Sequence, residues 1–345
     1  SNISIYGNVT TEKFVLLRFS GDNIFNHNKQ RLSYAGAFVY FPGAFYGVGY
    51  NAGAEGYAQE LTTTMGIFRI SYCTALAGRF YIGVSGGIDY TGAKYKDTGM
   101  VAYMNNVKAD VDAGKPVPGG RMGELYTLWQ EGRYDPAKQD PFSNYITESG
   151  DNPNAFNTSL GLFAQYDTRD VTFNASKGIF IKAEAKWYPE WLGNTRRSFG
   201  RFTLTFDFYR KLWKGAIFAY DLYADFTAGT PSWHMYAKMG GMERMRGYYE
   251  GRYRDKRLVE TQIELRQKIY RRHGIVAWIG GGQVWGTDKF RWDNTLYSFG
   301  CGYRFEFKNR MNIRLDYGWG VYGNQNLPWD RKRSSAFLFT ASEAF

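Results

Sequence analysis

Long apolar runs are missing from this sequence. A membrane-crossing helix needs roughly 20 consecutive apolar residues, and none of the 345 residues falls in such a run, which excludes a helical membrane bundle. Cysteine is scarce too. Cys73 and Cys301 are far apart and offer no metal-ligand spacing; they read as two small, mostly apolar residues on strands, and whether they pair stays open. Histidine is limited to His27, His234 and His273. An acid–base or nucleophilic enzyme needs a base beside its nucleophile. His27 falls in a polar turn and His273 in a tight one, while His234 stands two residues from Ser232, too near in sequence to argue a triad. No enzyme, metal or cofactor is therefore expected. A leader is lacking as well: Ser1 to Tyr6 already alternates, so processing or truncation is expected to have removed what came before.

What is present points one way. Aromatics make up 19% of the chain, with 28 Tyr, 26 Phe and 10 Trp beside 41 Gly, yet mean hydropathy is negative. Aromatics and glycines on alternating segments fit a transmembrane antiparallel β-barrel, whose aromatic girdles mark the two interfaces. A soluble sandwich or propeller is the alternative. From Arg201 to Leu212, Phe202, Leu204, Phe206 and Phe208 share one parity and Arg201, Thr203, Thr205 and Asp207 the other. In Met311 to Tyr322 the apolar set likewise opposes Asn312, Arg314 and Asp316. About fourteen strands are readable. Residues 92–155 lose all alternation and predict a long cap or partial plug. The net charge of +11 is spread along the strands, which argues for a cationic lumen and basic loops rather than nucleic-acid binding.

The stretch from Gly240 to Lys268 organises the rest. Gly240-Gly241 lead to Met245-Arg246-Gly247-Tyr248, and from Val259 onward apolar residues alternate with Glu260, Gln262, Glu264, Arg266 and Lys268. That pattern predicts a strand with one face in lipid and the other in a wet, charged enclosure.

These residues resemble the long sixth loop and following strand of the bacterial surface antigen (BamA–TamA) superfamily, whose usual motif has Val where Met245 stands. Two further segments match in order. Asp167, Arg169 and Asp170, followed by Gly178, resemble the family's periplasmic turn, and Phe41 to Gly49 resembles a segment of its barrel's first half. The resemblance implies a barrel of sixteen strands in a single domain, 1–345, with residues 229–257 folded into the lumen. It also implies an arginine held by carboxylates of the inner wall. The family's Asp-bearing motif aligns with Trp278-Ile279-Gly280-Gly281-Gly282, so the Asp position is Gly280. The expectation is that Arg246 pairs with Glu264 first and Glu260 second, Gly280 and Gly282 leaving room for the loop tip. No POTRA domain is recognisable in these residues. Phe345, in parity with Phe337 and Phe339, resembles a C-terminal outer-membrane signal.

The expected location is the outer membrane of a Gram-negative bacterium. Partners would be outer-membrane lipid and lipopolysaccharide, client outer-membrane proteins, and a periplasmic or lipoprotein partner. Arg196, Arg197, Arg331, Lys332 and Arg333 are the candidate lipopolysaccharide contacts, with solvated loop charges as the alternative. The expected function is protein insertion or translocation by a barrel-only member. The alternative is a passive, porin-like channel or a structural subunit.

Overall fold

The computed structural model describes residues 2–9, 14–27, 29–172, 174–194, 197–308, 311–321, 333–340 and 345. Strict alternation becomes one antiparallel sheet in which each strand pairs with its neighbour in sequence. The first half comprises β1 (Asn2–Val9), β2 (Val15–Phe25), β3 (Gln30–Phe45), β4 (Gln59–Ala77), β5 (Phe80–Tyr95), β6 (Asn154–Asp167) and β7 (Gly178–Tyr188). β8 (Phe199–Lys211) and β9 (Ala216–Ala228) follow. The chain then leaves the sheet through β10 (Ala237–Lys238) and β11 (Arg254–Asp255), a small separate hairpin. It rejoins beside β9 as β12 (Arg257–Tyr270) and continues as β13 (His273–Trp285), β14 (Leu296–Lys308), β15 (Met311–Val321) and β16 (Arg333–Thr340).

Among the described residues there are sixteen strands, fourteen in the wall, where the resemblance implied sixteen, and two inside the sixth loop. The region from Phe41 to Glu60 holds no extra strand pair: β3 and β4 pair through Phe45 and Gln59, and a short helix, α1 (Tyr50–Glu55), joins them. No helix among the described residues is long and apolar enough to cross a membrane. The sheet does so instead. Its outer face exposes Phe68, Ile82, Val84, Leu162, Ile263, Ile279 and Phe337, among others, as a lipid-facing barrel surface requires.

The sheet is not closed. No ladder joins β1 to β16 among the described residues. Among the described residues these two edge strands, eight residues each, are the shortest of the wall, and shortness is one way an edge is kept from pairing at random.

Of residues 92–155, the two ends belong to β5 and β6, and the stretch between them folds as α2 (Met100–Asp112), α3 (Gly120–Gln130) and α4 (Pro141–Ser149). Met104 and Val107 of α2 and Leu125 and Leu128 of α3 form one core together with Tyr57 of the β3–β4 connection. From α4, buried Phe142 meets Phe45 and Trp233 edge-on, at 5.1 and 5.0 Å between ring centres. The helices therefore sit over the loop-bearing end of the barrel, packed on the root of the sixth loop.

Candidate functional site

The site is built where the sixth loop crosses the inner wall formed by β12 to β15. Register places Asp316 opposite Gly302 and Gly318 opposite Gly300, while Glu264 faces Trp278. Inward positions on β13 to β15 are rich in glycine, and that recess admits main chain. A Cβ at Gly318 would come within 2.7 Å of the Arg246 carbonyl oxygen, and one at Gly320 within 2.7 Å of the Tyr248 ring. From the loop side, Gly247 at φ 110 would carry a Cβ 2.8 Å from the Trp319 carbonyl carbon. Loop and wall meet backbone to backbone.

Arg246 is completely buried. Its Nη1 donates to Asp316 Oδ2 at 2.8 Å, and its Nη2 donates to Glu264 Oε2 at 3.0 Å and Gln262 Oε1 at 3.3 Å. The guanidinium stacks on Trp278, 3.7 Å from the ring centre. Ser298 Oγ donates to the Arg246 carbonyl. The Tyr248 hydroxyl lies 2.8 and 2.6 Å from the carbonyls of Tyr297 and Val321. Arg266 and Arg304 reach Glu264 at 3.2 and 3.6 Å, and Arg304 and Arg314 also reach Asp316. Two carboxylates thus hold four arginines. Such a cluster is held by geometry, since each ion's desolvation is offset only while its partners stay in place.

A second contact lies two residues earlier in the loop. Arg244 grips Asp221 of β9 through both forks, at 2.6 and 2.7 Å. Glu260 does not pair with Arg246; it accepts from the Gly240 amide at 3.2 Å and so holds loop main chain. Gly282 lies under Met245 and Met239, its Cβ position 3.2 and 3.0 Å from them. Gly280 faces Thr261 and Gln262 of β12 instead, so the space it leaves is filled by wall, not loop tip. Asp316, Gln262, Arg304 and Arg244 were not among the expected partners. Asp316 had a signal in its inward parity on β15, two strands beyond the position where the family pattern lacks its Asp.

The expected turn residues meet at the opposite end of the barrel. Arg169 chelates Asp167 at 3.0 and 2.9 Å, and Asp170 accepts from the Ser176 amide and hydroxyl at 2.8 and 2.6 Å. Gly178, at φ 116, leaves room for Thr168, whose carbonyl oxygen would be 2.5 Å from a Cβ there. Phe345 does not continue the lipid-facing stripe of Phe337 and Phe339. It packs on Ala175, Tyr209 and Ala219 inside the wall, its ring 5.2 Å from the Arg266 guanidinium and its carbonyl oxygen 3.2 Å from Arg266 Nη2. There the ring gains a cation–π contact as well as apolar cover. Arg197 is exposed in the β7–β8 connection; Arg333 opens β16; Arg196, Arg331 and Lys332 lie outside the described residues.

An up-and-down sheet with an apolar outer face and an arginine-latched loop along its charged inner wall defines a transmembrane β-barrel of outer-membrane type. The chain belongs to the Omp85 superfamily, whose domain model matches residues 28–345. Barrels of that superfamily act in the insertion of proteins into the outer membrane or their translocation across it. In fold the chain is similar to BamA from Haemophilus ducreyi lacking POTRA domains 1–3, at TM-score 0.53 and 11% identity over 95% of this chain and 62% of that one. It is similar also to CdiB from Acinetobacter baumannii, at TM-score 0.51 and 9% identity over 94% and 51%. For CdiB from Escherichia coli the figures are 0.54 and 11% over 93% and 52%. The chain therefore spans between about half and under two thirds of the length of these structures. No curated protein sequence matches it.

Proposed function

We propose that this barrel inserts client proteins into the outer membrane, or passes them across it, by opening between β1 and β16. The observation that carries the reading is the pair of edge strands, β1 and β16, with no ladder between them among the described residues, beside a wall braced by the Arg246 latch. An exposed strand edge presents free N–H and C=O groups, and an incoming client strand adds to it by β-augmentation. The latch fastens the sixth loop to β15, the neighbour of β16, so it stiffens the panel that carries one lip of the seam. The role is mechanical and involves no enzymatic step. A periplasmic or lipoprotein partner delivers the client, and lipid and lipopolysaccharide surround the wall.

The test is reconstitution of the chain into liposomes with an unfolded outer-membrane protein. Acceleration of protease-resistant client over empty liposomes and over an unrelated barrel is the expected result. A second reading, a passive channel, draws on a cleft of about 410 Å³ lined by Arg18, Arg69, Lys182 and Lys186. Steady conductance in a planar bilayer, with no acceleration of the client, would favour it.

A further inference from the structure

The latch leaves one part of the loop's charge unanswered. Near the capped end of the lumen, a cleft of about 280 Å³ separates the inner wall of β3 and β4 from the root of the sixth loop. The wall side is apolar, presenting Val39, Phe41 and Met65; the loop side presents Lys238, Arg254 and His234. Arg254 is almost fully buried. Its Nε donates to the Gly251 carbonyl at 2.8 Å, and its guanidinium lies 4.6 Å from the centre of the Phe45 ring. Among the described residues no carboxylate pairs with it, and the Lys238 side chain makes neither a hydrogen bond nor an ion pair. Glu250, the one acid lining the cleft, is exposed and bonded to neither. The Nδ1 of His234 also lacks a partner.

Every arginine of the latch meets a carboxylate, whereas here buried Arg254 and half-buried Lys238 across the hairpin from it form no ion pair among the described residues and have only the exposed Glu250 nearby. Uncompensated buried charge is costly, and burial with Arg254 beside it pushes the Lys238 ammonium down to about 8. An anion between the two side chains would remove that cost. The apolar wall opposite adds a second requirement. A cavity of about 150 Å³ lined by apolar side chains holds a benzene ring, so this cleft has room for a charged head and a chain of about six carbons.

We propose that the cleft binds an anionic amphiphile, with a phosphate or carboxylate head between Lys238 and Arg254 and a short alkyl chain on Val39, Phe41 and Met65. The two heads correspond to different sources, a phospholipid-type phosphate and a fatty acid. Calorimetric titration of the purified barrel in a non-ionic amphipol, with hexyl phosphate and with hexanoate, tests the site and tells the sources apart by which binds more tightly.

Hexanol and inorganic phosphate should each bind at least about tenfold more weakly than the better probe, since each lacks half of the recognition. K238M and R254M should each weaken it at least about tenfold. V39W, which fills the apolar end and keeps both cations, should weaken the chain-bearing probe and leave inorganic phosphate unchanged. Heat-modifiable gel migration verifies that each variant is folded; should R254M not fold, K238M and V39W decide. The proposal is overturned if neither probe binds, if inorganic phosphate binds as tightly as hexyl phosphate, or if folded K238M binds like the parent.

Discussion

Arg246 carries the largest single-residue consequence. Truncation to Ala leaves Glu264 and Asp316 facing two fewer donors in a dry recess, and losing one partner of a buried pair costs ~3–5 kcal/mol. R246A is expected to lower barrel stability by about that amount in reversible urea unfolding from lipid vesicles. D316N and R246A combined should be less destabilising than their sum by about 1 kcal/mol or more; strict additivity would remove the pairing. Lysine cannot replace the fork that spans Asp316, Gln262 and Glu264, so R246K should behave much like R246A. Lys238 gives a prediction of opposite character. Its folded pKa, about 8, is below the ordinary lysine value. Between about 8 and that value the unfolded chain binds the extra proton, so stability rises with pH there. The groups acting on it are Arg254, which lowers it with burial, Glu250, which raises it, and Arg201, which lowers it. Unfolding midpoints should climb from pH 8 to pH 10, and K238M should flatten that climb; an equal climb in K238M would show another origin.

Among elements, the glycine-lined recess of β13 to β15 decides whether the loop can lie inside. A methyl at 318 would press on the Arg246 carbonyl from 2.7 Å, against main chain that cannot swing away. G318A is therefore expected to lift the loop while leaving the wall hydrogen bonds intact. Limited proteolysis after Arg252 or Arg254 and raised single-channel conductance should both report it, with heat-modifiable migration unchanged. Protection equal to that of the parent would mean the loop is held elsewhere, for instance by Arg244 on Asp221.

The same elements show what a sequence conveys. Wall strands were readable because burial on one face and lipid on the other force a period of two. Glu264 as a partner of Arg246 was readable from parity on the next strand. Asp316 was harder, although its parity was visible, because choosing among inward acids on distant strands needs the path of the loop. The helices of residues 92–155 were read only as a cap or plug. Their apolar positions, such as Met104, Val107, Leu125 and Leu128, are spread over short helices and gather only on folding. Phe345 shares parity with Phe337 and Phe339 in the sequence, yet it lies against Tyr209 and Arg266, a position that parity does not convey.

For the whole molecule, the lips of the seam are the testable feature. If the sheet opens between β1 and β16 as proposed, a disulfide joining these strands should stop client insertion in liposomes, and reductant should restore it. A cross-linked barrel that still accelerates insertion would place the opening elsewhere. The latch has a further consequence, one of timing. Arg246 meets Glu264 eighteen residues on, but Asp316 seventy residues on, and the loop also touches Gly53 from Arg252, 199 residues away. Contacts over such separations form only after the intervening chain has been ordered. During assembly the arginine stays poorly neutralised until the penultimate strand is in place. The buried cluster thus contributes its full stability only to a wall that is nearly complete.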